Sequence, residues 1–179
     1  WVEMALAGLR HFLLNRADIP TADSIVDLHL QGRRYNAAIP CLAAMELRYA
    51  EDPSTAFALD EALLTKLVAF RLTNNYGNTP EWFTQLISAK PALVSPVMLQ
   101  LMRKQIAAKT GHVEALYALA HDPHYTTIAQ AIAPILIETL PQKATKTQLR
   151  SVRELISCML RTLPASQQQA LLKERLALA

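Results

Sequence analysis

Four dipeptides in which a short polar residue precedes a proline divide this sequence: Asp52-Pro53, Thr79-Pro80, Ser95-Pro96 and Asp122-Pro123. In each dipeptide the polar side chain can accept a hydrogen bond from an amide of the first helical turn. The proline suits the first helical position because it has no N–H to satisfy. Thr145 and Gln148 have the spacing of a capping box, and Ser166 follows Pro164. The sequence therefore predicts six internal helix starts.

The composition of the chain also favours helix. It contains 29 Leu and 28 Ala among 179 residues, but only 4 Gly. Leu and Ala lose little freedom in a helix, and scarce Gly disfavours tight hairpins and the phosphate loops of nucleotide-binding α/β folds. No alternating apolar run is long enough for a strand. We predict an all-α fold of about ten antiparallel helices, near residues 1–14, 22–31, 34–50, 53–73, 80–89, 96–108, 111–121, 123–140, 146–162 and 166–178.

Prolines recur at a spacing of 43 residues, which pairs Pro53 with Pro96, Pro80 with Pro123 and Pro91 with Pro134. The same shift aligns Trp82 with Tyr125. A repeat of two or three helices cannot bury its apolar face alone and stacks on its neighbours. We therefore expect a single helical-repeat domain over residues 1–179, stacked as a right-handed α-solenoid (an α-α superhelix), looser in 1–78 and more regular in 79–179. A compact irregular bundle is the alternative.

Several segments resemble known helical proteins. Residues 31–39, QGRRYNAAI, with the later Asp52-Pro53, resemble the second half of a tetratricopeptide repeat through their Gly, aromatic, Ala and closing Pro. Residues 119–163, where Asp122-Pro123 precedes Pro134, are similar to HEAT and armadillo repeats, whose period lies in the low forties. Residues 119–149 also resemble helical regions of large bacterial proteins that carry a nucleotide-triphosphatase module elsewhere. The last resemblance implies a sensor or regulatory arm of such an enzyme.

The sequence lacks the motifs that usually carry catalysis or bind cofactors. Its four glycines lie far apart and form neither phosphate-binding signature. Closely spaced zinc ligands are missing too. His121-Asp122 matches the dipeptide with which all-α HD phosphohydrolases hold a metal, but no aspartate follows Asp122 to complete that set. We expect no enzyme, no cofactor and no metal, while sites that folding assembles from distant residues stay open.

Basic charge is concentrated near the C-terminal end. Residues 141–179 hold seven Lys and Arg against two Asp and Glu, whereas residues 1–90 hold eight against ten. One side of the predicted helix 146–162 carries a set of cations that we name the basic ridge: Lys146, Arg150, Arg153 and Arg161. Apolar residues occupy the other side: Leu149, Val152, Leu155, Ile156, Met159, Leu160 and Leu163. The basic ridge predicts binding of an acidic protein partner or of nucleic-acid phosphates; an ordinary solvated face is the alternative.

Trp82 is the remaining candidate for partner binding. It lies in the first turn of the predicted helix 80–89, where an exposed aromatic would anchor a partner, although its alignment with Tyr125 favours packing between repeats. Cys41 and Cys158 lie in apolar helical runs, so we interpret both as packing residues rather than as a disulfide.

The longest apolar run, residues 131–137, is shorter than the roughly 20 residues of a membrane helix. We therefore expect a cytoplasmic protein without membrane contact. Helical spacing already begins at Trp1, which predicts that the chain starts inside a longer polypeptide.

The sequence favours a non-catalytic helical-repeat scaffold or recognition arm that binds a protein or another domain of the same polypeptide. A nucleic-acid-binding domain that uses the basic ridge is the alternative.

Overall fold

The computed structural model describes residues 1–14, 18–74, 78–140 and 144–177, and within them the chain forms eleven α-helices, one 3-10 turn and no strand. The α-helices are α1 (Val2–Phe12), α2 (Ala22–Leu30), α3 (Ala38–Glu51), α4 (Pro53–Phe57), α5 (Glu61–Thr73), α6 (Glu81–Ala89), α7 (Pro91–Ala107), α8 (Leu116–His121), α9 (Thr126–Glu138), α10 (Leu149–Thr162) and α11 (Ala165–Ala177). The 3-10 turn, Pro123–Tyr125, directly precedes α9. The predicted all-α class is confirmed.

The chain divides into two compact units, residues 1–89 and 90–179. The boundary falls between α6 and α7, whereas the sequence placed the change in regularity between residues 78 and 79. The single repeat domain and its α-solenoid stacking stay predictions.

In the first unit α3 is the central helix. It packs against α1, α4, α5 and α6, and α5 also packs against α2. Most sides of α5 are buried, including Leu64, Leu67 and Phe70, which have no exposed surface. Burial of each such side chain contributes about 1.5–3 kcal/mol, so α3 and α5 form the core of this unit.

In the second unit α9 packs against both α7 and α10, and α8 packs against α10. Ile128, Ile132 and Leu136 are buried at a spacing of four residues along α9, so they form one apolar stripe. α10 contributes Leu155, Cys158 and Met159 to the same core. These contacts fix the orientation of α10 about its own axis and thereby decide which of its side chains face outward.

Several predicted helix starts are confirmed. The carboxylates of Asp52 and Asp122 each accept a hydrogen bond from the amide two residues later, at 2.9 and 3.0 Å, and the following proline occupies the first position of α4 and of the 3-10 turn. Thr79-Pro80 directly precedes α6. The side chain of Gln148 accepts from the Thr145 amide at 3.1 Å, as the predicted spacing requires, but α10 begins only at Leu149 with Gln148 as its N-cap, so the start predicted at Thr145 is too early.

The start predicted at Ser95-Pro96 is wrong. α7 begins at Pro91, and Pro96 lies inside it. The Ser95 hydroxyl donates to the Pro91 carbonyl at 2.7 Å instead of capping a helix. Buried side chains continue across the proline at helical spacing, from Val94 to Val97 and onward. Burial of this stripe outweighs the roughly 3 kcal/mol that an interior proline costs a helix.

Two other predicted helices are shorter than expected. The helix predicted over 53–73 is divided into α4 and α5, because Asp60 begins a new helix by accepting from the Leu63 amide at 3.2 Å. The helix predicted over 111–121 is helical only in α8. It is preceded by Ala115 in the left-handed conformation, with φ of 57°, which interrupts a right-handed helix.

The 43-residue spacing does not place paired prolines in equivalent positions. In two of the three pairs the first proline stands at a helix start, and the second lies inside α7 or α9. The aligned aromatics Trp82 and Tyr125 are both buried. The repeat therefore stays a prediction that the aromatic pair supports and the prolines do not.

Candidate functional site

The structure changes the membership of the basic ridge. Lys146 lies in the turn before α10, not on the predicted helix 146–162, which begins only at Leu149. Lys146, Arg150 and Arg153 are exposed. The three side chains carry positive charge on the solvent side of α10 and of the turn that leads into it.

Arg161 is exposed like the other three residues of the ridge, but its guanidinium also contacts α8. Its guanidinium donates to the carbonyl of Ala120, near the C-terminal end of α8, and lies 3.3 Å from Nδ1 of His121. A cation at a helix C-terminus is stabilised by the partial negative charge of the last carbonyls. Arg161 therefore joins α10 to α8 while its side chain stays exposed.

His121 lies between Arg161 and Glu154. Its Nε2 is 2.7 Å from the Glu154 carboxylate, and its ring stacks at 4.5 Å from Tyr117. Arg161 can only donate, so its contact with His121 uses Nδ1 as the acceptor. The side chains of Arg161, His121 and Glu154 together link α8 to α10.

The predicted apolar side of the basic helix separates into a buried and an exposed set. Leu155 and Met159 are buried, whereas Leu149, Ile156 and Leu160 expose 56%, 38% and 53% of their surface. Leu149, Arg153, Ile156 and Leu160 follow one another at spacings of four, three and four residues, so they share one face of the helix. We name this set the α10 surface.

The sequence did not reveal the α10 surface. The sequence places these apolar residues on one side of the helix, but helical spacing does not show how many neighbouring helices cover that side. The breadth of that side, with seven apolar positions in 149–163, was the available signal. One packed interface rarely covers so wide an apolar face.

Trp82 is not an exposed anchor. It is 1% exposed, and its ring meets Phe83 edge to face at 5.4 Å. The packing interpretation is the one that the structure supports. Trp82 also contributes to the wall of a cavity in the first unit, together with the buried Arg71, and sequence reasoning did not find that cavity.

The two cysteines and the possible metal ligands are the remaining candidates for chemistry. Cys41 and Cys158 are completely buried, neither in a disulfide within the described residues, as their packing interpretation predicted. Burial raises the pKa of the Cys158 thiol, against the opposing effects of Thr162 and Arg161. In the described ranges no three His, Cys, Asp or Glu side chains group closely enough to hold a metal.

In comparisons with known proteins, no family model, no curated protein and no solved structure matches the chain. Across residues 1–14, 18–74, 78–140 and 144–177, none of the helices has both the length and the apolar character that crossing a membrane requires.

Proposed function

We propose that this chain is a non-catalytic helical scaffold or recognition arm, with its helices stacked as an α-solenoid, that binds a protein partner through the α10 surface. The observation that carries this proposal is the exposure of Leu149, Ile156 and Leu160 on one face of a packed helix. Exposed apolar clusters that polar residues border are typical of interaction sites. The partner is a protein or another domain of the same polypeptide.

The charges around the α10 surface define the partner further. Arg153 lies within it, and exposed Arg150 and Lys146 lie beside it. Arginine is enriched at the centre of protein interfaces, where its stem packs against apolar groups while its guanidinium pairs with carboxylates. We expect a partner segment that presents apolar side chains flanked by Asp or Glu.

Site-specific photo-crosslinking in the source cells tests this proposal. A photoreactive amino acid at position 160 should give a discrete adduct with one protein, or within the same polypeptide. The same amino acid at Leu172 on α11, which is 42% exposed, is the matched control and should not. The adduct from position 160 should disappear when Arg153 is replaced by Glu. Equal adducts from both positions, or none, would contradict the proposal.

A nucleic-acid-binding domain is the second candidate, and the exposed Lys146, Arg150 and Arg153 favour it. Binding to a generic oligonucleotide should be measured by fluorescence anisotropy between about 50 and 200 mM salt. Phosphate binding weakens steeply over that range, whereas an apolar protein interface does not. Tight, strongly salt-dependent oligonucleotide binding would favour this second function.

A further inference from the structure

A cavity of about 210 Å³ lies within the first unit, among α3, the end of α5 and the start of α6. Its lining combines the aliphatic groups of Ile39, Leu42 and Pro80 with two side chains of opposite charge, Arg71 and Glu46. Sites for drug-sized molecules usually measure about 300–1,000 Å³. This cavity therefore suits a smaller ligand that carries both charges and an apolar group.

Arg71 supplies the positive charge from the interior. It is 5% exposed, and its two Nη atoms donate to the carbonyls of Asn74 and Asn78 at 3.3 and 3.4 Å. The guanidinium also lies 5.9 Å from the centre of the Phe83 ring. These contacts fix the orientation of a cation in the cavity wall. The positive charge of a guanidinium held in this way attracts a carboxylate.

Trp82 lines the same cavity and carries a buried donor. Its indole Nε1–H is buried and finds no hydrogen-bond partner in the part of the chain that the structure describes. A buried donor without an acceptor destabilises the protein, and an oxygen atom that reaches it removes this penalty. Because the indole nitrogen is enclosed, a ligand oxygen would reach it only when the Trp82 ring moves.

Glu46 supplies the negative charge of the cavity and, unlike Arg71, is exposed to solvent. It lies on α3, where it follows Ile39 and Leu42 on the same side of the helix at spacings of seven and four residues. A ligand with a carboxylate alone would meet repulsion from Glu46. A ligand that also carries an ammonium group would be attracted by both charges.

We propose that this cavity binds a free α-amino acid with an aliphatic side chain. The ligand carboxylate lies against Arg71, its ammonium group faces Glu46, and its side chain packs on Ile39 and Leu42. The site lies in the first unit and is independent of the partner proposed for the α10 surface in the second.

Titration of the 15N-labelled protein with three related compounds tests the proposal. Leucine carries both charges, 4-methylpentanoate only the carboxylate, and 3-methylbutylamine only the ammonium. The chain has two tryptophans, so its spectrum should show two indole N–H signals, and Trp1→Phe, at a position 99% exposed, assigns them. Leucine should shift the Trp82 signal in a saturable way and leave the Trp1 signal in place. Each single-charge analogue should bind at least about tenfold more weakly.

A charge-neutralising variant gives the second arm of the test. Glu46→Gln should weaken leucine binding about tenfold and leave 4-methylpentanoate binding unchanged or stronger. Glu3→Gln, at another exposed glutamate on α1, is the matched control and should bind leucine like the wild type. An unmoved Trp82 signal, equal binding of leucine and 4-methylpentanoate, or an unaffected Glu46→Gln protein would each overturn the proposal.

Discussion

Two arginines of α10 show how one residue type takes different roles on a single helix. Arg161 donates to the Ala120 carbonyl and contacts His121 on α8. Arg153 is exposed and makes no hydrogen bond or ion pair to the described residues. The sequence placed both on the same basic ridge because their spacing puts them on one side of a helix. Only the structure shows that Arg161 contacts α8 and that Arg153 does not.

Replacing each arginine by methionine tests this difference. Arg161→Met should lower the free energy of unfolding by about 1 kcal/mol, because it removes the contacts between α10 and α8 at a partly exposed site. Arg153→Met removes the same charge and should change stability by less than about 0.5 kcal/mol. Urea unfolding followed by circular dichroism measures both. Equal losses would show that charge, and not the contact with α8, sets the effect.

Asp52 is the residue whose titration should be visible in stability. Hydrogen bonds from the Ser54 hydroxyl and amide lower the pKa of its carboxyl below the ordinary 3.8. A lowered folded-state pKa contributes stability above the unfolded-state value, and this contribution is lost as the pH falls through the folded-state pKa.

Asp52→Asn keeps an oxygen acceptor for the α4 cap and removes the titration. The wild type should be more stable than this variant at neutral pH, and the difference should shrink as the pH falls below 3.8. Urea midpoints measured for both proteins across that range report the difference. A gap that stays constant from neutral to acid pH would show that the carboxylate charge does not stabilise the cap.

At the scale of elements, α7 shows how packing overrides a local signal. Ser95-Pro96 has the residues of a helix start, yet the helix runs through it. Val94 and Met98 have no exposed surface, and Val97 is 3% exposed. Because they lie on both sides of the proline, a helix that began at Pro96 would lose part of this buried stripe.

Proline-to-alanine substitutions distinguish the two kinds of position. Pro96→Ala should stabilise the protein by about 1–3 kcal/mol, because it restores an amide donor inside α7 without loss of buried surface. Pro53→Ala, at the first position of α4, should be neutral or slightly destabilising, because no helical donor is missing there. Both prolines are exposed, so the pair is matched for packing. Equal effects in thermal or urea unfolding would contradict this account of α7.

At the scale of the whole molecule, the chain has two compact units, and each holds one buried cysteine. Cys41 lies on α3 in the first unit, and Cys158 lies on α10 in the second. A buried thiol reacts only when the structure around it opens, and a raised pKa slows its reaction further. The two thiols therefore report on the opening of separate units.

Leu155→Ala should selectively increase the reactivity of Cys158. Leu155 has no exposed surface, so its truncation should destabilise the second unit by about 2–5 kcal/mol. Labelling with a thiol reagent at several urea concentrations, read by mass spectrometry, should show Cys158 reacting at lower urea while Cys41 changes little. An equal shift at both cysteines would mean that the two units unfold as one.

The residues that local chemistry controls were the ones that sequence reasoning placed correctly. Asp52 and Asp122 cap their helices because both partners of each hydrogen bond lie within two residues. Cys41 and Cys158 were predicted to pack, and they are buried. For Trp82 the sequence left both exposure and burial open, and only packing against other helices shows that it is buried. Gln148 contacts Thr145 as its spacing predicted, although α10 begins at Leu149 rather than at the predicted residue 146.

The sequence by itself determined the all-α class, most helix positions, and the concentration of positive charge near α10, because propensity, capping and net charge depend on residues close together in the chain. The tertiary structure decided that α7 continues through Pro96, that Arg161 is bound to α8, that Leu149 and Leu160 remain exposed, and that Arg71 and Glu46 meet at one cavity. Each of these outcomes depends on which distant helix covers which side of its neighbour. Helical periodicity defines the sides of a helix, but only packing between helices selects the side that stays exposed to solvent.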